Sequence, residues 1–234
     1  MNKEEFLEQV TKLGINLSIK KQEQLEEYYK LLIEYNSHTN LTAITAKEDV
    51  YLKHFYDSLC IIKIIDLNKD IKLCDIGTGA GFPGLVLKIV FPNLNITLID
   101  STRKKTIFLE EVIKKLDLKD IKVVTSRIED YARSHEEEFD IVTARAVAKL
   151  NVLLELSTKM IKVKGSFIAM KADAEEELKE SVQALRILDV SLDQVINYEL
   201  PREKSRRSLI KIIKLKSTSK EYPRNFSKIK NKSL

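Results

Sequence analysis

Cysteine is nearly absent: Cys60 and Cys74 are the only two in 234 residues, and they do not form a Cys-x-x-Cys pair. Neither a zinc site nor a redox pair is signalled, no metal is expected, and a reducing, cytoplasmic setting fits. Both read as small core residues. Long apolar runs are lacking too, since Lys or Asp interrupts every stretch well short of the roughly 20 residues a membrane-spanning helix needs. The opening MNKEEFLEQV mixes charges where a signal peptide would carry an apolar core, so export is not expected. No internal repeat is present. What remains, 44% apolar and 32% charged residues, suits a globular chain with one sizeable core and is neither disordered nor fibrous.

The formal charge of +5 is unevenly spread. Residues 201–234 hold 12 Lys/Arg against 2 Asp/Glu, a local +10, whereas residues 1–200 sum to −5. A polyanionic partner near this basic end is expected. Four of the twelve cations are Arg, which a general compositional bias toward Lys does not explain.

Residues 1–66 read as a helical cap. Ser18 suits an N-cap ahead of Leu25, Tyr28, Tyr29, Leu32, Ile33 and Asn36 at helical spacing, the polar Asn36–Thr45 segment ends that helix, and a second amphipathic stretch carries Val50, Phe55, Leu59, Ile62 and Ile65. From residue 71 short apolar runs alternate with amphipathic stretches. The pattern predicts strands over 71–76, 95–100, 121–125, 139–144 and 166–170, with helices over 83–91, 102–116, 150–160 and 174–188. Such alternation builds a parallel sheet with helices on both faces. Runs 190–198 and 208–215 follow without an intervening helix and should pair as an antiparallel hairpin. The expected fold over 67–216 is therefore α/β, with a mostly parallel seven-stranded sheet ending in that hairpin. Residues 217–234, polar and basic, are expected to be a mobile tail that orders on a ligand.

The first strand runs into Gly77-Thr78-Gly79-Ala80-Gly81-Phe82-Pro83-Gly84. Glycines at a strand-to-helix turn let a ligand approach the backbone, Pro83 fits the start of the next helix, and the helix N-terminus favours an anion. A nucleotide-like cofactor is expected. Gly79-x-Gly81-x-x-Gly84 with Asp100 downstream literally satisfies the dinucleotide fingerprint, so a nicotinamide dehydrogenase has to be weighed. Asp75 speaks against it, because a carboxylate there would face a pyrophosphate, whereas it suits the ammonium and sulfonium of S-adenosylmethionine. No Tyr-x-x-x-Lys pair exists to act as a reductase base. Asp100 can accept both ribose hydroxyls, or cap the helix that follows, or do both. In the Ser126–Glu129 loop, Ile128 would lie on the adenine ring and Glu129 would pair with it, although Arg127 and Glu129 alone could be a solvated ion pair.

Pro83, Pro92, Pro201 and Pro223 are the only prolines, and they build neither the Pro-Pro or Pro-x segment of exocyclic-amino methyltransferases nor the Pro-Cys of carbon-5 pyrimidine enzymes. Arg145 instead stands at the carboxyl end of the fourth strand, where ligands of open parallel sheets bind. It could grip guanine O6 and N7, a phosphate or the cofactor's carboxylate, or pair structurally with a carboxylate. His54, Asp57 and Ser58 share one helix face and read as hydrogen bonding between cap and core. His38 and His135 carry no usable signal.

Together Asn40–Thr45 (NLTAIT), His54–Leu59 (HFYDSL), Asp75–Gly84 (DIGTGAGFPG), Asp100 with Arg103-Lys104-Lys105 and Phe108-Leu109, Ser126–Asp130 (SRIED) and Thr143–Ala148 (TARAVA) resemble the glucose-inhibited division protein B (RsmG) family over nearly the whole chain. The resemblance implies a Rossmann-like class I methyltransferase that takes S-adenosyl-L-methionine and methylates guanine N7 in small-subunit (16S) ribosomal RNA. It implies cofactor contacts at Gly77, Phe82, Ile128, Glu129 and Arg145, with Asp100 on the ribose; Asp75, Gly79 and Gly81 belong to the same loop. Lys171 follows the fifth strand as in the family, but Ala172 replaces the usual glycine, and Ser233 stands where a proline is common. Lys171, Arg202, Arg206, Arg207, Arg224, Lys228 and Lys230 are the expected RNA contacts. The expected partner is 16S RNA or the small subunit, with no membrane, and the protein is expected to be a monomer. A non-catalytic ribosome-assembly factor is the alternative.

Overall fold

The computed structural model describes residues 1–234. Its sheet comprises β1 (Lys72–Ile76), β2 (Asn95–Asp100), β3 (Ile121–Thr125), β4 (Phe139–Arg145), β5 (Ile161–Lys171), β6 (Val190–Glu199) and β7 (Arg206–Lys214), in the order β3-β2-β1-β4-β5-β7-β6. β1 to β5 are mutually parallel, and β7 is antiparallel to both of its neighbours. From β1 the chain first builds outward to β2 and β3, then returns to β4 on the other side. That reversal makes the carboxyl ends of β1 and β4 the natural crevice of the sheet.

The hairpin expected at the end of the sheet is present, but its second strand is the one that joins β5. β7 buries Ser208, Leu209, Ile210, Ile212 and Lys214, whereas β6 buries only Val190. The more apolar strand takes the inner place and the polar one covers the edge, where a bulge between Leu192 and Gln194 discourages further pairing.

Four helical pieces precede β1: α1 (Lys3–Lys12), α2 (Ile19–Thr39), α3 (Lys47–Asp49) and α4 (Asp57–Leu59), the last two joined by a π-type turn over Val50–Tyr56. α1 begins on a capping box, with Asn2 Oδ1 accepting from Glu5 N at 2.9 Å and Glu5 Oε2 accepting from Asn2 N at 3.0 Å. Ser18 caps α2, and Asn40 ends it in the left-handed region at φ 50°. These pieces lie with α5 (Gly84–Val90) and α6 (Arg103–Lys115) on one face of the sheet, within a single core of 40 buried residues that runs from Met1 to Leu209. Cap and sheet therefore share one core. The Tyr28 ring clusters with Phe55 and Phe82, 5.5 Å from each, and its hydroxyl donates to the Ala80 carbonyl in the glycine loop.

On the opposite face α7 (Ile128–Ser134), α8 (Leu150–Ser157), α9 (Glu175–Glu180) and α10 (Val182–Ile187) cover a second core. The segment read as a loop after β3 turns into α7, whose first turn holds Glu129 and Asp130, as a helix N-terminus favours. The single helix expected over 174–188 is two, divided at Ser181, whose hydroxyl bonds back to the Glu177 carbonyl at 2.6 Å.

The segment expected to be a mobile tail packs against α8. It holds α11 (Phe226–Asn231), buries Ile229 completely, and places the Arg224 guanidinium on Glu155 through Nε at 2.7 Å and Nη2 at 2.6 Å. The Glu155 side chain has no solvent exposure. An apolar anchor and a neutralised buried charge hold a segment that composition alone would leave in solution.

Removing one member of a buried ion pair strands the other, at a cost of about 3 kcal/mol or more. Arg224→Met should therefore lower stability by about 3 kcal/mol in urea denaturation and open 217–234 to trypsin under native conditions; unchanged cleavage there would contradict the docking.

Candidate active site

β1 ends in a turn whose glycines fill spaces closed to other residues. A Cβ on Gly77, at φ 63°, would sit 2.7 Å from a Val147 methyl, and one on Gly84 would sit 2.3 Å from Leu98 and 2.9 Å from Asp75 Oδ2. The turn is tied to the next strand by Thr78 N donating to Ile99 O and by Gly79 N donating to Asp100 Oδ2, each at 3.0 Å. Asp100 Oδ1 also accepts from Thr102 N at 2.8 Å, ahead of α6. The carboxylate so positions both the loop and the following helix start.

Beside this turn opens a cleft of about 350 Å³ lined by Gly77, Asp100, Ile128, Glu129, Val147 and Phe226, among others. Four of the expected cofactor residues, Gly77, Asp100, Ile128 and Glu129, thus come together. Arg127 pairs with Glu129 at 3.3 Å, and its guanidinium lies 4.3 Å from the centre of the Phe226 ring. Phe226 was not foreseen. It comes from α11, almost 100 residues after the β3 loop, and no local pattern in the chain connects the two.

Other expected contacts lie outside the cleft. Asp75 is completely buried beneath the glycine turn, where Oδ2 accepts from Thr78 Oγ1 at 2.6 Å and Gly84 N at 2.9 Å, while Oδ1 has no partner. Burial pushes its pKa up to about 6 despite those two hydrogen bonds. Here it braces the loop. Gly79 and Gly81 shape the turn without lining the cleft, and Phe82 turns toward the cap, stacked between Tyr28 and His54.

Arg145 also faces the cap. Its Nη1 donates to Lys53 O at 2.9 Å and to Asp57 Oδ2 at 3.2 Å, its Nη2 reaches His54 Nδ1 at 3.1 Å, and its guanidinium lies 5.1 Å from the Phe82 ring centre. Its Nε–H has no protein partner. His54 and Asp57 accordingly bridge cap and sheet, as their spacing suggested, but Ser58 only bonds back to His54 O within its own turn. Because an arginine can only donate, His54 Nδ1 must accept, and Nε2–H is left to donate to Thr42 Oγ1 at 3.0 Å. Burial, and secondarily the adjacent Arg145, drop the His54 pKa to about 3. The ring is held neutral and is committed to structure.

The basic set divides. Lys171 is tied to the Ala148 carbonyl and to Glu177 at 2.7 Å, with its side chain 9% exposed. Arg224 is on Glu155, Arg202 on Glu5, and Arg207 Nε is 3.6 Å from Asp57 Oδ1. Lys171 and Arg224, expected as RNA contacts, are each held by a carboxylate of the chain, as a largely buried cation must be. Arg206, Lys228 and Lys230 have no protein carboxylate partner. The two cysteines are buried as expected, and burial pushes the Cys60 thiol up to about 12.

Residues 21–209 match the family model GidB, rRNA small subunit methyltransferase G. The chain belongs to this family. It is 48% identical over 227 residues to ribosomal RNA small subunit methyltransferase G of Bacillus velezensis, covering 96% of this chain and 95% of that one. It is 46% identical over 226 residues to the protein of the same name from Staphylococcus epidermidis, with the same coverage. Among solved structures, the fold is shared with a SAM dependent methyltransferase from Aquifex aeolicus (TM-score 0.55, 17% identity, 75% of this chain and 97% of that one). It is shared also with a predicted O-methyltransferase from Agrobacterium tumefaciens (TM-score 0.52, 16% identity, 66% and 80%). The sheet with its antiparallel final pair is that of class I methyltransferases, and the dehydrogenase reading is set aside.

The cleft suits the cofactor such enzymes use. Asp100 offers carboxylate oxygens beside the turn, Ile128 and Val147 offer apolar contact for a flat ring, and a side chain at position 77 would close the approach. No group of His, Cys, Asp and Glu able to hold a metal is present.

A group whose folded pKa is depressed contributes stability above its unfolded pKa and loses it as the pH falls toward the folded value. Between pH 7.5 and 5 the wild type should lose about 2 kcal/mol relative to His54→Gln, as the unfolded chain takes up a proton that the folded one refuses. Paired urea melts across that range measure it; parallel curves would show that His54 is protonated in place.

Proposed function

We propose that the protein transfers the methyl group of S-adenosyl-L-methionine to N7 of one unstacked guanine in a loop of 16S ribosomal RNA, within the cytoplasm. The observation that carries this reading is the convergence of Gly77, Asp100, Ile128 and Glu129 on one cleft beside the β1–β4 switch point, in a chain of this family. Nothing in that cleft is arranged as a nucleophile or as a histidine base.

When bound, the cofactor supplies a methyl carbon already activated by its sulfonium. Asp100 would accept the ribose hydroxyls while Gly79 N–H holds its other lone pairs in place. Ile128 and Val147 would contact the adenine faces, Glu129 would accept from its amino group, and Phe226 would close the side next to Arg127. Guanine N7 has a lone pair in the ring plane, so no residue needs to remove a proton and no covalent enzyme intermediate is required. Orientation is the main task, and it can contribute up to roughly 7–11 kcal/mol.

Arg145 is assigned to substrate orientation. Its two terminal nitrogens are engaged by the cap, and its unpaired Nε–H remains for the base or its phosphate. The target must be unstacked, because the deep, narrow major groove of an A-form helix hides N7. Arg206, Lys228 and Lys230 would hold phosphates, giving binding that weakens with salt.

Incubating the protein with methyl-labelled cofactor and small subunits that lack the modification should place label in 7-methylguanosine after digestion of the RNA; label on another base would overturn the N7 assignment, and none in RNA would overturn the activity. Phe226→Ala should weaken cofactor binding about fivefold by calorimetry, the equivalent of about 1 kcal/mol of aromatic contact. An unchanged Kd would remove Phe226 from the site.

A further inference from the structure

A second cleft, of about 530 Å³, opens at the same edge of the sheet but beyond β5. It is lined by the apolar Leu178 and Val195 and by Asn197, Arg206 and Ser208, among others. The register explains its position: Arg145 on β4 is level with Met170 on β5, and Lys171 is level with Ser208 on β7. Two strand spacings, about 10 Å, therefore separate this cleft from the Arg145 edge.

We infer that this cleft is a subsite for the nucleotide next to the target guanine, an inference that rests on the proposed methylation of RNA. Ser208 Oγ donates to Asn197 Oδ1 at 2.8 Å, which fixes the amide and leaves its two N–H groups for the acceptor edge of a base. Leu178 and Val195 take the base face. Arg206 is exposed and has no protein carboxylate to satisfy it, so its guanidinium is available to a phosphate. Asp173, Glu175 and Glu199, which also line the cleft, disfavour a second phosphate and suit a base that carries N–H donors.

The cleft is also joined to the methyl-transfer edge. Arg207, between Arg206 and Ser208 on β7, turns its side chain to the opposite face of the sheet, where Nε lies 3.6 Å from Asp57 Oδ1, the oxygen that accepts the Tyr198 hydroxyl at 2.8 Å, while Asp57 Oδ2 holds Arg145. One carboxylate thus ties the strand that carries Arg206 and Ser208 to the arginine beside the target. RNA entering the site as a splayed strand would be read at two adjacent places, which suits a single-stranded loop and excludes a continuous helix.

The test uses the full chain and small subunits lacking the modification. Arg206→Ala should raise KM for the subunit about tenfold and lower the salt slope of binding by about one, with Kd for S-adenosylmethionine unchanged; Arg206→Lys should recover much of the loss. A photoreactive nucleotide placed beside the target guanine should crosslink to peptides within 190–214, and Asn197→Ala should reduce that yield. An unchanged KM and salt slope for Arg206→Ala, or a crosslink that falls on another surface, would overturn the subsite. A crosslink from this cleft to a ribosomal protein would overturn it as well. Failure of the wild type to methylate guanine would instead overturn the proposed function, because the crosslink requires binding but no transfer.

Discussion

The meeting of Asp57 with Arg145 is the constraint on which the rest of the molecule depends. One charge comes from the short helical turn before β1 and the other from the carboxyl end of β4, and their side chains are only 6% and 13% exposed. Neither could be taken so far out of water alone. Because they meet, the helical cap is held over the switch point of the sheet, with His54 neutral beneath the guanidinium and Phe82 between His54 and Tyr28. The glycine turn is gripped from both directions, by Tyr28 from the cap and by Asp100 from β2. A rigid turn is what in-line methyl transfer needs, since its barrier is lowered chiefly by holding reacting atoms in place.

Electrostatics in the basic segment follow the same logic at lower stakes. Of its twelve cations, Arg202, Arg207, Lys211, Lys214, Lys216 and Arg224 pair with carboxylates from elsewhere in the chain. The local excess of +10 is therefore partly internal adhesive. The other six, Lys204, Arg206, Lys220, Lys228, Lys230 and Lys232, are left for a polyanion. Net charge alone overstates how much of the segment faces outward.

The parallel sheet was legible because its inner strands β1, β2 and β4 are buried on both faces and appear as short apolar runs between amphipathic stretches, and β2 and β3 have the bounds their patterns predict. The glycine turn, Asp100 and the Ile128-Glu129 pair were legible because each follows a strand in a fixed order. Relations across distance were not. Whether a buried polar residue faces a ligand or a brace is decided by packing, so Asp75 looked like a cofactor contact and lies under the loop instead. Phe226 reaches the cleft only because Ile229 and the Arg224–Glu155 pair dock α11, and none of these three contacts is local in sequence.

The insertion of β7 between β5 and β6 has a consequence for the order in which the chain is made. β5 is synthesised with an open edge, and the first strand to follow it, β6, runs in the same direction as β5 and is not its partner. That edge must wait for β7, 35 residues after β5 ends, while α9, α10 and β6 are already available to compete for it. The charged and polar residues of β6, Asp193 and Gln194 among them, make it a poor substitute for a place buried on both faces. The polarity of that strand therefore leaves β7 the better fit for the open edge of β5 from the moment both are made.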